Sequence, residues 1–392
     1  MSYRLLHSLC ASAVVLFWAV GWSSADGAEL PADRLAAQLA KVRAVGSHGQ
    51  GHREAAAVAK QLAQADAAQL PEILAAMNGA GEVSANWLRG IAESVAQRSQ
   101  QRGAALPAAA LEKFLLNTKE SPRGRRLAYE LIAAADETAA ERLIPQMLND
   151  PSLELRRDAV AQQLGTAAQV PADDKPQRLA AYEKAFRAAR DLDQIKEAAA
   201  KLRAEQAEIN IARHMGFVTT WQLIGPFDNV GDRGWDTAYP PEKMVDLTAE
   251  YDGQKGKVKW FEHTTTDDYG NVDLTKALDK HKGAVTYASA EFASDGERLV
   301  DVRLGSTNAV KLWVNGDLLD ARHVYHSGTE VDQYISRATL KPGKNLILVK
   351  VCQNEQTDGW AQDWKFQLRV CDAIGTAVLS QDRASSKTAA VE

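Results

Sequence analysis

The chain has 392 residues, a formal net charge of -5 at pH 7, 45% apolar residues and 25% charged ones. That length asks for two or three domains, and the composition is that of a globular protein rather than a disordered or fibrous one. From Asp26 to Met215 the 25 basic and 25 acidic residues cancel, whereas from Gly216 onward 20 basic residues face 26 acidic ones. This balance excludes a basic nucleic-acid surface and makes the second half better suited to a neutral or cationic ligand than to a polyanion.

In chain order, the first segment reads as an export signal. Arg4 and His7 precede the apolar run LCASAVVLFWAVGW, and Ser23-Ser24-Ala25 supplies small residues for cleavage. The run is 14 residues long, short of the roughly 20 that a membrane-spanning helix needs. The expectation is a secreted or periplasmic protein, mature after residue 25, with no later span. Cys352 and Cys371 are then the mature cysteines, in a compartment that permits a disulfide. If their strands form a simple hairpin around 353–363, the two cysteines are offset by about seven residues, or ~24 Å. A bridge needs Cα atoms within ~7 Å, so that register leaves them free and only another would join them.

Between residues 30 and 215 alanine dominates and apolar residues recur three and four apart, as in Leu35, Leu39 and Val42. A longer period overlies this one. Leu70-Pro71, Leu106-Pro107 and Ile144-Pro145 stand 36 and 38 residues apart, each proline where the first turn of a helix tolerates it. Each is followed by a second predicted helix with arginine beside apolar residues: Arg89-Gly90-Ile91, Arg126-Leu127-Ala128 and Arg157-Asp158-Ala159. The segment LIPQMLNDPSLELRRDAV, residues 143–160, resembles a HEAT repeat, and the resemblance extends over 54–168. It implies stacked helix pairs over 30–170 with a concave surface for a protein partner. No catalytic constellation stands in this half; His48 and His52 flank the loop GSHGQG, where a solvated turn is favoured over a metal. Residues 176–215 predict one more helical hairpin, similar to a tetratricopeptide unit. With no Gly/Ser-rich linker after it, the junction should be stiff.

At Gly216 the helical stripes give way to period-two alternation and tryptophans: Trp221, Trp235, Trp260, Trp313, Trp360 and Trp364. In ERLVDVRLG, Val300, Val302 and Leu304 alternate with Leu299, Asp301 and Arg303. Asn315-Gly316 between two apolar runs predicts a type I′ hairpin, and Lys341-Pro342-Gly343-Lys344 a turn before NLILVKV. About nine strands without intervening helices predict an antiparallel jelly-roll sandwich over 217–379, with a disordered tail from 380 to 392. The segments WQLIGPFDN, AYPPEK, YASAEF, RLGSTNAVKLWVNG and LKPGKNLILVKV resemble the galactose-binding-like sandwich. That resemblance implies a fold found in many secreted bacterial proteins, some joining it to HEAT-like units; it binds sugars in some proteins and only packs against neighbours in others. The predicted class is multidomain α plus β.

Several residue sets carry candidate chemistry. If Val310, Leu312 and Val314 face the core, Lys311, Trp313 and Asn315 face outward, and an indole beside amide and ammonium groups suits a pyranose ring; the alternative is burial under a loop. The loop 353–364 gathers Gln353, Asn354, Gln356, Asp363 and Trp360 for the same purpose, or to plug the end of the sandwich. Asp228, Asn229, Asp232 and Asp236 form an oxygen-rich turn of the kind calcium uses, though the spacing departs from the usual loop and fits backbone caps better. His323, His326 and Asp332 have the donor types of a zinc site but not its setting, and His263 with Asp267 and Asp268 has those of acid–base work. The function expected is non-catalytic carbohydrate recognition by the sandwich. The alternatives are a ligand-free protein–protein scaffold and a glycoside-processing enzyme using carboxylates such as Asp228 and Asp363.

Overall fold

The computed structural model describes residues 29–381; the expected export signal and most of the expected tail lie outside them. The chain is multidomain α plus β, helical over residues 32–204 and then built on antiparallel sheets. It divides into two compact units, one ending at Glu137 and one beginning at Thr138.

The first unit contains α1 (Ala32–Arg43), α2 (His52–Leu62), α3 (Leu70–Ala75), α4 (Glu82–Gln101), α5 (Ala108–Leu116) and α6 (Pro122–Ala133). The stripe Leu35, Leu39 and Val42 is buried as its spacing requires. Pro71 lies in the first turn of α3 and Pro107 caps α5, so neither removes a needed N–H. Of the arginines on the second helices, Arg89, Arg126 and Arg157 form ion pairs with Glu130 or Asp193, and the buried ones stand beside them. Arg125 on α6 is fully buried and its Nε donates to the carbonyl of Leu115, 2.6 Å away, at the end of α5. It closes a helix end that would otherwise be buried unsatisfied.

The second unit opens with α7 (Ala139–Leu143), a 3₁₀ turn over Ile144–Met147 that holds Pro145, α8 (Leu153–Ala168), α9 (Lys175–Ala188), α10 (Leu192–Ala204) and α11 (Ile211–Met215). Arg156 on α8 repeats the device, its Nε donating to the carbonyl of Asp150 at 2.7 Å. Tyr182 and Phe186 of α9 and Ile195, Ala198 and Leu202 of α10 are buried.

There follow β1 (Thr220–Asp228), α12 (Arg233–Asp236), α13 (Pro240–Lys243), β2 (Glu250–Gly253), β3 (Gly256–Lys259), β4 (Phe261–Thr264), β5 (Val272–Asp273), α14 (Leu274–Leu278), β6 (Ala284–Ser294), β7 (Arg298–Ser306), β8 (Ala309–Val314), β9 (Asp317–Arg322), β10 (Tyr334–Leu340), β11 (Gly343–Gln353) and β12 (Lys365–Cys371). The expectation of strands without helices is therefore corrected: α12 to α14 interrupt them. β2 and β3 pair in a separate two-stranded sheet, the larger sheet has the order β4-β1-β6-β11-β8-β9 and the one facing it β10-β7-β12-β5. Their inner faces share a core to which Trp221, Val300, Val302, Leu304, Val310, Leu312, Val314 and Trp364 belong. Asn315 and Gly316 both adopt positive φ, 54° and 89°, and Val314 pairs with Asp317, which is the tight hairpin their sequence predicts.

β11 and β12 do not form a hairpin. β11 pairs with β6 and β8, and β12 with β7 and β5, so 353–364 crosses between the sheets. Cys352 and Cys371, one on each sheet, are buried free thiols. Burial pushes the Cys352 thiol up to about 12.

The helical hairpin is fastened to the sandwich. Arg203 pairs with Asp268 at 2.6 Å, the ammonium of Lys196 stands 5.1 Å over the ring of Tyr269, and Arg190 donates to Thr376. Arg369 on β12 donates to the carbonyl of Met215 at 3.1 Å while holding Asp332 with Nε and Nη2. Gly216 ends α11 with φ 83°, and a Cβ there would stand 2.4 Å from the carbonyl oxygen of Val370; only glycine fits.

Candidate functional site

The outer face of the larger sheet is covered. Residues 229–260 fold across it, and Trp235 and Trp260 join Ile224, Phe227, Val285, Tyr287, Leu348 and Cys352 in a second core. Trp313, which the strand phase turns outward as predicted, packs against that core half-buried. Of its two readings, this is burial under another segment and not an open sugar platform. Lys311 donates to the carbonyl of Trp235 at 2.8 Å and sits 4.5 Å from its ring centre. Asn315 is spent within the fold, donating to Asn345 and accepting from Leu346 N–H.

The centre of this covered face holds a charge. The side chain of Lys350 is fully buried and pairs with Glu242 at 2.7 Å. It also donates to the carbonyls of Trp235 and Thr237. Tyr287 donates its hydroxyl to the same Glu242 oxygen at 2.5 Å, and burial followed by the Glu242 charge holds its phenol well above the usual range.

At one rim of the sandwich three loops meet: 229–236, 323–328 and 353–364. Five rings follow one another along this rim. Trp235 stacks on His323, 4.4 Å between centroids and 4° between planes. His323 stands edge-on to Tyr325 at 5.9 Å, and Tyr325 neighbours His326 at 6.1 Å. His326 meets Trp360 at 5.1 Å. Trp360 is 65% exposed.

Polar bonds fix the arc. Asp232, held at φ 62°, accepts from His323 Nε2 at 2.6 Å through one oxygen and from the Tyr325 hydroxyl at 2.5 Å through the other. Burial first, then the bond to Asp232, raises the Tyr325 phenol above its usual range, so it remains a donor. Asn229 donates to Tyr325 Oη and to the carbonyl of Gln353. Asn354 Oδ1 accepts from Gln356 N–H at 3.2 Å, which identifies that atom as oxygen. The neighbouring His326 Nε2 at 3.1 Å must therefore be the donor. Glu355 accepts from Gly231 N–H, and Lys282 donates to the carbonyl of Ala361 at 2.7 Å, tying the crossover loop to its neighbours.

The other expected residues separate into framework and rim. Gln353 is buried, accepting from Asn308 and donating to the carbonyls of Ala361 and Asp363; Asp363 pairs with Lys365. Asn354, Gln356 and Trp360 do stand together on the rim. In the proposed calcium quartet, Asp228 caps Val230 N–H, Asn229 and Asp232 are engaged as above, and Asp236 is exposed. The zinc triplet is drawn apart, with His323 on Asp232, His326 on Asn354 and Asp332 on Arg303 and Arg369. Among the described residues, no group of three or more His, Cys, Asp or Glu side chains is arranged to hold a metal ion. Asp267 caps the turn at Tyr269 and Asn271 and Asp268 belongs to Arg203, so neither faces His263 as an acid–base partner. His48 is exposed in its turn, and His52 packs edge-on to Trp87.

Sequence reasoning missed Tyr325 and the partnership of Trp235 with His323. The run of rings at His323, Tyr325 and His326 was the available signal, masked by the donor types that suggest metal.

No protein-family model matches the chain, and no curated protein sequence matches it. Among solved structures, a β-glucosidase from Kluyveromyces marxianus in complex with glucose is 13% identical with a TM-score of 0.24, covering 41% of this chain and 17% of that one. An uncultured Clostridium sp. β-glucuronidase is 12% identical with a TM-score of 0.22, covering 40% and 29%. A Pseudomonas fluorescens alkylpurine DNA glycosylase bound to abasic-site DNA is 11% identical with a TM-score of 0.23, covering 88% and 95%. The chain thus spans less than a fifth of the β-glucosidase, and at these scores the likenesses carry no argument about function.

Proposed function

We propose that this is an exported, non-catalytic binding protein whose sandwich recognises carbohydrate at the rim of loops 229–236, 323–328 and 353–364. The observation that supports it is Trp360, an indole 65% exposed on a loop held through the Glu355 carboxylate by Gly231 N–H, at the Ala361 carbonyl by Lys282 and at Gln356 N–H by Asn354. An exposed aromatic face on a fixed loop can take the apolar face of a pyranose, while Asn354, Gln356 and the free Nδ1 of His326 meet its hydroxyls. Little conformational freedom is then lost on binding. Affinity electrophoresis of the full chain through neutral polysaccharide gels tests the reading. Retardation lost in Trp360→Ala supports it; parent and variant migrating alike in every gel, and alike on a glycan array, overturns it.

The scaffold reading draws on the other tryptophans of the sandwich, of which Trp221, Trp235, Trp260 and Trp364 are buried and Trp313 is half-buried. Under it, no glycan is retained and Trp360 contributes to a protein contact instead.

A further inference from the structure

In the unit that ends at Glu137, α2 and α4 run parallel. His52 at the start of α2 sets its ring edge-on to Trp87 at 5.9 Å, and Arg98 near the end of α4 donates to the carbonyl of Ala65 just beyond α2. Between the two helices lies an open groove of about 570 Å³, within the size range of small-molecule sites. Ala56 and Ala59 line it from α2 and Ala63 from the C-cap of that helix, and Val83, Trp87 and Ile91 line it from α4. The alanines recur three and four apart and the α4 residues four apart, so each set forms one stripe along its helix.

Gly90 also borders the groove. It lies inside the 20-residue α4, where glycine is a poorer helix former than alanine. Its φ is not positive, and a Cβ built there meets no atom within 4 Å. Neither a turn nor internal packing calls for glycine; the space left open is that of the groove. The one charged lining residue is Lys60, and among the described residues it has no ion pair or hydrogen bond. The pairings of His52 with Trp87 and of Ala65 with Arg98 put Lys60 toward the Ser94 end, with Trp87 and Val83 away from it.

We propose that this groove binds the alkyl chain of a single-chain anionic amphiphile, a fatty-acid-like molecule with its carboxylate on Lys60 and its tail along Ile91, Trp87 and Val83. From Val83 to Ser94 the helix rises about 16 Å, a length a medium to long acyl chain matches. The apolar walls give the tail a place out of water, and the lone ammonium selects the sign of the head group.

The test titrates the full chain with sodium dodecanoate below its micelle concentration by calorimetry, beside dodecyltrimethylammonium, which has the same tail and the opposite charge. One saturable dodecanoate site is expected, with the cationic amphiphile at least tenfold weaker. Lys60→Glu weakens dodecanoate at least tenfold. Gly90→Leu fills the groove and abolishes uptake while circular dichroism and Tm stay at parental values or above, because that position opens on empty space. Absence of saturation, equal binding of the cationic amphiphile, or undiminished binding by Gly90→Leu overturns the proposal. So does a dimer in sedimentation that Gly90→Leu dissociates without any dodecanoate uptake, which assigns the groove to a second copy of the chain.

Discussion

His326 presents its ring to Trp360 at an interplanar angle of 89° and a centroid distance of 5.1 Å, while its Nε2 donates to Asn354. The imidazole therefore stands perpendicular to the indole of an exposed residue, whereas Trp313 packs half-buried against the second core. Two indoles of the sandwich thus have opposite roles.

Trp360→Ala should leave Tm within about 1 °C of the parent, since an exposed side chain contributes little to stability, and should abolish retention by whichever neutral glycan the parent binds. Trp313→Ala should do the reverse, costing about 2 kcal/mol in urea unfolding through lost packing against the second core with retention unchanged. If Trp313→Ala cost nothing and removed binding, the assignment of the two indoles would be inverted.

Lys350 and Glu242 form a pair whose value lies in being intact. Glu242→Gln leaves a buried ammonium without its counter-charge and should destabilise by about 3 kcal/mol. Adding Lys350→Met should recover most of that loss, because the desolvated charge is gone. Chemical denaturation of the two variants and the parent reads this directly; a double variant no better than the single one contradicts it.

His214 lies at the fastened junction, its Nε2 against the carbonyl of Ala189 at 3.1 Å and its ring 4.3 Å from Phe186. Burial, reinforced by the charges of Arg190 and Arg369, lowers its pKa to about 4, against about 6.5 when unfolded. The unfolded chain takes up the proton first, so the stability conferred by the neutral ring is complete above pH 6.5 and drains away as pH falls toward 4. His214→Gln should therefore flatten the dependence of Tm on pH between 7 and 4.5. Parallel profiles for parent and variant would show that the ring is not the titrating group.

Cys352 and Cys371 should not react with an aromatic disulfide reagent in the native chain, since both are buried and burial raises each thiol. In a Cys10→Ser background the titre should rise to two equivalents on adding denaturant without reductant. A native titre near one, or a denatured titre of zero, would contradict free, enclosed thiols.

Much of the fold was legible in local pattern. The phase of β7, the Asn315-Gly316 turn and the prolines at helix starts each follow from forces acting over a few residues. The misreadings share one cause, which is that long-range cover leaves no periodic mark. Nothing near Trp313 announces that 229–260 will lie over it, and nothing in 353–364 says that its flanking strands join different sheets. The rim was half legible for the same reason. Trp360, Asn354 and Gln356 lie on one loop and could be grouped from the sequence, whereas His323 and Tyr325 meet Asp232 across 91 and 93 residues of chain, and Trp235 joins them by stacking on His323.

The change of composition at Gly216 is a border in the alphabet and not in the molecule. Val370 N–H bonds the carbonyl of Gly216, and the guanidinium of Arg369 reaches past it to Met215 while holding the loop that leads to the rim. A fragment begun at residue 217 would strip an acceptor from both Val370 and Arg369, the residue that holds Asp332, so a loss of binding in such a fragment would report on the scissors and not on the site. Dissection of the chain belongs between Glu137 and Thr138, where the fold itself divides.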